Sequence, residues 1–272
     1  MKNFNLILTI LVFSFHILIA ASSDPVFSEN GMIVSTSKQA SEAGIEILKK
    51  GGNAVDAAVA VGFALAVTSS SNGNIGGGGF MVAAMTDGQT FTLDYREKAP
   101  AAAHRDLFLN DSGNVVPGMS LSSRAGSGVP GSVDGLIRAL ADHGSGNISL
   151  RQALALAIRL AEKGFELSHY EARRFNGYEG LFQSNDAAAT IFIRKDNNPW
   201  EKGDKLVQKD LAKTLKRISK YGRDGFYTGP VADLIVAEMK RGNGLISLED
   251  LKNYSSVYRD PVSGTYNGHE VI

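Results

Sequence analysis

The sequence predicts an α+β fold, rich in helices, with short antiparallel strands set among them. Three observations point there. Apolar residues recur at helical spacing over residues 38–50 and again over 54–67. Two short apolar stretches, 80–85 and 90–95, lie either side of Asp87-Gly88, a pair suited to closing a hairpin. Further amphipathic helical patterns follow, and the chain finishes on two strand pieces around Asn267-Gly268.

In chain order, the opening residues differ from the rest. Lys2 stands in a short polar start, residues 6–19 are an almost uncharged apolar run, and Ala20, Ala21, Ser22 and Ser23 follow. This pattern describes a secretory signal peptide over residues 1–22, cut after Ala21 or Ser22. A retained membrane anchor is the alternative, but the run falls short of the ~20 residues that span hydrocarbon. Export to the periplasm or the cell exterior is therefore expected.

Residues 38–50 form a helix through Ala40, Ala43, Ile47 and Leu48, stopped by Gly51-Gly52. Asn53 caps the next helix, with Asp56 in its first turn. That helix, AVDAAVAVGFALAV, is apolar nearly all round and built from small residues, so it is expected to be buried. The stretch SSSNGNIGGGGF at 69–80 then carries four consecutive glycines, which permit close backbone approaches that a Cβ forbids. On the second hairpin strand Phe91, Leu93 and Tyr95 share one face, and Thr92, Asp94 and Arg96 the other. Residues 121–131 read as a Ser/Gly-rich loop ending in GVPGS. Ser149 caps a helix running to Lys163, and helices are expected over 209–221, 231–241 and 248–254.

Composition excludes several function classes. There are 28 basic and 28 acidic residues, and without a long basic run neither nucleic acid nor an anionic membrane has electrostatic support as a partner. With no cysteine, export brings no disulfide, thiolate chemistry or cysteine metal site. His104, His143, His169 and His269 are isolated from one another, with no ligand spacing for a metal. The glycine run contains neither nucleotide-binding pattern and runs from helix to strand, the wrong order for a phosphate cradle. No G-x-S-x-G elbow occurs, and no carboxylate pair stands out for glycoside chemistry. No cofactor is expected.

Arg96 is the best site candidate from the residues alone. A guanidinium at a strand end, beside an acid on the same face, can clamp a substrate carboxylate through two parallel hydrogen bonds. The other reading is a plain Asp94–Arg96 surface pair, worth little.

The strings GMIVSTSKQASEAGIEILKKGGNAVDAAVAVGFALAV, GNIGGGGFMV and FTLDYREKAPAAAHRDLF closely resemble the N-terminal part of γ-glutamyltransferases. The resemblance continues in order through GVPGSVDGL, KGDKLVQKDLAKTL, FYTGPVADLIVAEM and GLISLEDLKNY. It implies an incomplete αββα sandwich of the N-terminal-nucleophile hydrolase type. Members are made as precursors that cut themselves into a large and a small subunit. The new N-terminal Thr of the small subunit attacks a γ-glutamyl amide, commonly glutathione, and the acyl group passes to water or to an amino-acid or peptide acceptor. The resemblance assigns Arg96 to the α-carboxylate of the γ-glutamyl group. It places the nucleophilic Thr and the oxyanion donors beyond the position matching Ile272, so no catalytic residue is expected in 23–272, and the chain alone is expected to be inactive. The sequence stops inside its last strand piece, so a piece of a longer protein is expected. Residues 69–72 depart from the His-Pro-Gln type that precedes the glycines in relatives. A catalytically inactive short homologue that binds γ-glutamyl compounds or a partner subunit is the alternative, and a related acylase with another amide substrate is a further one.

Overall fold

The computed structural model describes residues 25–272. The expected signal peptide lies outside the described residues. Two units are distinguished, dividing after Met32. The first is irregular over residues 25–32, where the Ser28 hydroxyl donates to the Gly31 carbonyl at 2.7 Å. All elements below belong to the second.

Helix α1 spans Lys38–Lys49 and buries Ala40, Ala43 and Ile47, as its spacing predicts. The Ser37 hydroxyl accepts from the Ala40 amide, and Lys50 and Gly51 close the C-terminus. Helix α2, Ala54–Thr68, begins in a reciprocal cap. Asn53 accepts from the Asp56 amide at 3.0 Å, and the Asp56 carboxylate accepts from the Asn53 amide at 2.8 Å, so two otherwise orphaned donors are satisfied. Eleven of its fifteen residues are buried, which makes α2 the central rod of the core. It packs on α1 and on α5, Leu150–Lys163, which the predicted Ser149 cap initiates.

The hairpin forms as read. β1, Phe80–Ala84, pairs antiparallel with β2, Thr90–Asp94, with Met81 opposite Leu93 and Val82 opposite Thr92. Phe91 and Leu93 face the core at 8% and 0% exposure, whereas Phe80 and Val82 face outward at more than half exposed. A third strand, β5 (Val257–Arg259), joins the free edge of β2, giving the order β1-β2-β5. The composition of these three residues did not announce a strand; the register Leu93↔Tyr258 creates it.

Between the hairpin and α5 lie a short turn of helix, α3 (Met119–Ser122), a 3-10 turn at Arg124–Gly126, and α4, Ser132–His143. The sequence predicts a loop over residues 121–131 and gives no local signal for α4, because Gly131 occupies the cap position and offers no side chain. Helix α4 packs on both α2 and β2, and His143 at its end stacks on Phe91 with ring centroids 3.8 Å apart. His143 is thus a structural residue.

The rest is helical with small ribbons. β3 (Phe165–Glu166) pairs with β4 (Lys205–Leu206) around α6 (His169–Gly177), α7 (Glu179–Gln183) and α8 (Asp186–Phe192). Helices α9 (Lys209–Tyr221), α10 (Asp224–Tyr227), α11 (Pro230–Arg241) and α12 (Leu248–Asn253) follow. β6 (Gly264–Tyr266) and β7 (His269–Val271) form the expected C-terminal ribbon, with Asn267 and Gly268 both left-handed at φ 50° and 79°. Of the expected sandwich, the described residues contain one three-stranded sheet and a helical layer against one of its faces.

Candidate substrate-binding site

The hairpin delivers Arg96. β2 ends at Asp94, but the ladder persists for one more pair: the Tyr95 amide donates to Gly79 at 3.0 Å and Gly79 donates back at 3.3 Å. This keeps the glycine run alongside residues 95 and 96. A Cβ on Gly78 would stand 2.5 Å from the Tyr95 carbonyl oxygen and 2.8 Å from Arg96 Cα. At Gly78 only glycine lets these two backbones meet.

GVPGS closes the other side. The amides of Gly131 and Ser132 both donate to the Gly77 carbonyl, at 2.8 and 3.0 Å. Lys98 and Val129 exchange hydrogen bonds at 3.1 and 2.7 Å. The Arg96 backbone is held at both ends. Its amide donates to Asp94 Oδ1 at 3.0 Å, and its carbonyl accepts from the Tyr254 hydroxyl at 2.8 Å. Burial pushes the Tyr95 and Tyr254 hydroxyls up from their ordinary pKa, so both remain protonated at neutral pH.

Beneath this backbone lies a buried polar knot. Asp134, in the first turn of α4, is 7% exposed; its Oδ1 meets Arg223 Nε at 2.8 Å and its Oδ2 accepts from the Ser256 amide at 2.8 Å. Arg223 also donates to the carbonyls of Lys252, at 2.9 Å, and Tyr254. Its guanidinium lies 4.6 Å from the Tyr227 ring centroid, and that ring stacks on Tyr254 at 5.7 Å. A charge this buried is stable only when paired and fully hydrogen-bonded, and the knot meets both conditions for Asp134.

The Arg96 side chain itself reaches outward, 61% exposed. Its Nε lies 3.0 Å from Glu97 Oε2, and its guanidinium carbon 5.9 Å from the Phe80 ring centroid. Its two terminal nitrogens have no partner among the described residues. That edge is the one a carboxylate grips with two parallel hydrogen bonds.

One expectation needs correction. Asp94 and Arg96 do not form a side-chain pair. Arg96 lies past the end of β2, where strand alternation no longer fixes its direction, and Arg259 from β5 takes the Asp94 carboxylate instead, Nε to Oδ2 at 2.7 Å. The Arg96 amide, followed by Arg259, holds the Asp94 carboxyl below its usual range against the opposing effect of desolvation. Glu97, Tyr254, Asp134, Arg223 and Arg259 were not singled out from the sequence. Only Glu97 had a visible signal, its adjacency to Arg96.

Arg96 lines neither of two cavities formed by the described residues. One of about 570 Å³ is lined by residues 69–72 and by aromatic side chains of α6 to α8, including Tyr170, Phe175 and Tyr178. Another of about 300 Å³ lies between Lys98, Val129, Asp250 and Tyr254. Among the described residues no group of three or more His, Asp or Glu side chains gathers to hold a metal, and no helix is long and apolar enough to cross a membrane.

Comparison with known proteins places this geometry. The family model for Gamma-glutamyltranspeptidase matches residues 40–272. The chain is 45% identical over 253 residues to the glutathione hydrolase proenzyme of Pseudomonas sp. (strain A14), covering 93% of this chain and 44% of that protein. It is 44% identical to the glutathione hydrolase proenzyme of Escherichia coli (strain K12), covering 91% of this chain and 42% of that one. The solved structure of Helicobacter pylori gamma-glutamyltranspeptidase superposes with a TM-score of 0.88 at 42% identity, over 91% of this chain and 70% of that chain. The chain spans less than half the length of these two curated relatives. Sequence and fold agree over the same residues: the chain belongs to the γ-glutamyltranspeptidase family.

Proposed function

We propose that this chain supplies the carboxylate-gripping portion of an exported γ-glutamyltransferase. The enzyme cleaves γ-glutamyl amides such as glutathione and passes the glutamyl group to water or to an amino-acid or peptide acceptor. The observation that carries the reading is Arg96, a guanidinium on a backbone held at both ends, with two terminal nitrogens unpartnered among the described residues. The α-carboxylate of a γ-glutamyl group is planar and fits that edge; a lysine ammonium lacks the fork. The names of the relatives, glutathione hydrolase proenzymes, support the substrate class.

In this reading the chemistry is divided. The attacking Thr, its α-amine acting as base, and the oxyanion donors belong to the small subunit of the same precursor, outside the 272 residues of this sequence. Arg96 holds the glutamyl carboxylate, several bonds from the scissile amide, in ground state and transition state alike. Its contribution therefore falls mainly on KM. The exported character rests on Lys2, the apolar run and the small residues that follow it, read as a signal peptide over 1–22.

The test is expression of the complete precursor that carries this chain, with release of p-nitroaniline from γ-glutamyl-p-nitroanilide as readout. Turnover stimulated by a dipeptide acceptor is expected, and residues 23–272 alone are expected to be inert. A processed precursor that releases no p-nitroaniline refutes the activity, and turnover by 23–272 unaided refutes the division of labour.

A further inference from the structure

We infer that Tyr254 is a positioning residue for substrate binding: its buried hydroxyl fixes the carbonyl of Arg96 and so sets where the guanidinium meets the substrate carboxylate. The inference rests on the assignment of Arg96 to that carboxylate and extends it to a residue 158 positions away.

The Arg96 side chain is largely exposed, bonds to Glu97 and lies over the Phe80 ring at 5.9 Å from the centroid, contacts too weak to fix a long, flexible chain. The direction in which it leaves the protein is therefore set by its backbone. One backbone hydrogen bond is local, from the Arg96 amide to Asp94. The other comes from the Tyr254 hydroxyl at 2.8 Å.

Tyr254 is built to hold that position. It is 3% exposed, its ring stacks nearly parallel on Tyr227, and Lys98 Nζ lies 5.2 Å from its centroid. Its own carbonyl accepts from Arg223, which Asp134 anchors in turn. The hydroxyl is closely packed: a Cβ on Gly131 would stand 2.0 Å from Tyr254 Oη and equally close to the Tyr95 carbonyl oxygen. Among the described residues the Arg96 carbonyl is the hydrogen-bond partner of that hydroxyl. The bond is part-buried, so a carbonyl that loses this donor must find another, water included, or move.

The experiment is kinetic, on the complete precursor. Tyr254→Phe keeps ring and stacking and deletes the bond. KM for γ-glutamyl-p-nitroanilide is expected to rise about fivefold, with kcat unchanged. In an Arg96→Lys background the same substitution is expected to have a smaller effect, because the backbone then positions one bond instead of two. Arg223→Lys, which loosens Tyr254 from its other side, is expected to shift KM in the same direction. A fall in kcat at constant KM, or equal effects of Tyr254→Phe in both backgrounds, overturns the inference and leaves Tyr254 a packing residue. If Arg96→Lys raises KM while Tyr254→Phe does not, the positioning role fails and the assignment of Arg96 stands. If Arg96→Lys itself leaves KM unchanged, both fail together.

Discussion

Replacing Arg96 with lysine keeps the charge and removes the fork, so it isolates the geometric part of substrate binding. In the structure Nε is engaged by Glu97 at 3.0 Å, and both terminal nitrogens are without a partner among the described residues. A bound carboxylate takes two charge-assisted hydrogen bonds from that open edge. A lysine ammonium offers a single point on a different stem and is drawn toward the Glu97 carboxylate, so one of the two bonds is lost. Hydrogen bonds to charged groups contribute about 1.5–3 kcal/mol. With the side chain 61% exposed the lower part of that range applies, about 2 kcal/mol. At 1.36 kcal/mol per factor of ten this is roughly thirtyfold in KM. kcat is expected to hold, because the contact is equal in ground and transition states. The assay is the initial rate of p-nitroaniline release at varied γ-glutamyl-p-nitroanilide. 4-Aminobutyryl-p-nitroanilide, which lacks the α-carboxylate, serves as control. Its rate is expected to be indifferent to the substitution. A KM for the γ-glutamyl substrate within about twofold of wild type, or equal losses on both substrates, refutes the reasoning.

Asp134→Asn removes the charge opposite Arg223 in the buried knot, at 2.8 Å. Breaking such a pair costs about 3 kcal/mol, reduced here because the Arg223 side chain is 30% exposed. A Tm lower by roughly 4–8 °C is expected by calorimetry. Gly131→Ala places a methyl group 2.0 Å from Tyr254 Oη and the Tyr95 carbonyl; its cost is at least about 3 kcal/mol, visible as lost soluble yield or a depressed melt. Acid is expected to destabilise the fold. Asp94, Asp204 and Glu238 are held below their ordinary pKa by a backbone amide, a backbone amide and Arg241 respectively, as the foremost causes. The native state therefore binds fewer protons than the unfolded chain as pH falls through the carboxylate range. Their stabilisation is complete above about pH 5 and is lost progressively below it. In base the sign reverses: burial and then the Asp142 carboxylate push the Tyr258 hydroxyl up to about 12, so its contribution is whole below about pH 10 and fades as pH rises toward 12. Chemical denaturation at stepped pH checks both limbs; a stability flat from pH 3 to 7 contradicts the first.

Much of the scaffold is legible because its signals are local. Asn53, Asp56, Ser149 and the small-residue character of α2 each state their role within a few residues. The hairpin is announced by alternation and by Asp87-Gly88. α4 is hidden because its N-terminus uses Gly131, whose job is close approach to Tyr95 and Tyr254 rather than capping. β5 is hidden because three residues become a strand only against β2. The site divides in the same way. Arg96 is visible by its place at a strand end, whereas Asp94 leaves it for Arg259, 165 residues away, and Tyr254 reaches it across 158. Pairings at that separation carry no periodicity, so no window along the chain contains them.

The reach of the Tyr254 contact bears on how the protein is made. Arg96 emerges from the ribosome well before its distant partner; at about 5–20 residues per second the delay over 158 residues is roughly 8–30 s. A hairpin forms in microseconds, so through that interval the hairpin exists while the arginine backbone lacks its second tether. The Arg96 backbone gains that tether only once the segment around Tyr254 folds back and locks what the earlier part has already shaped.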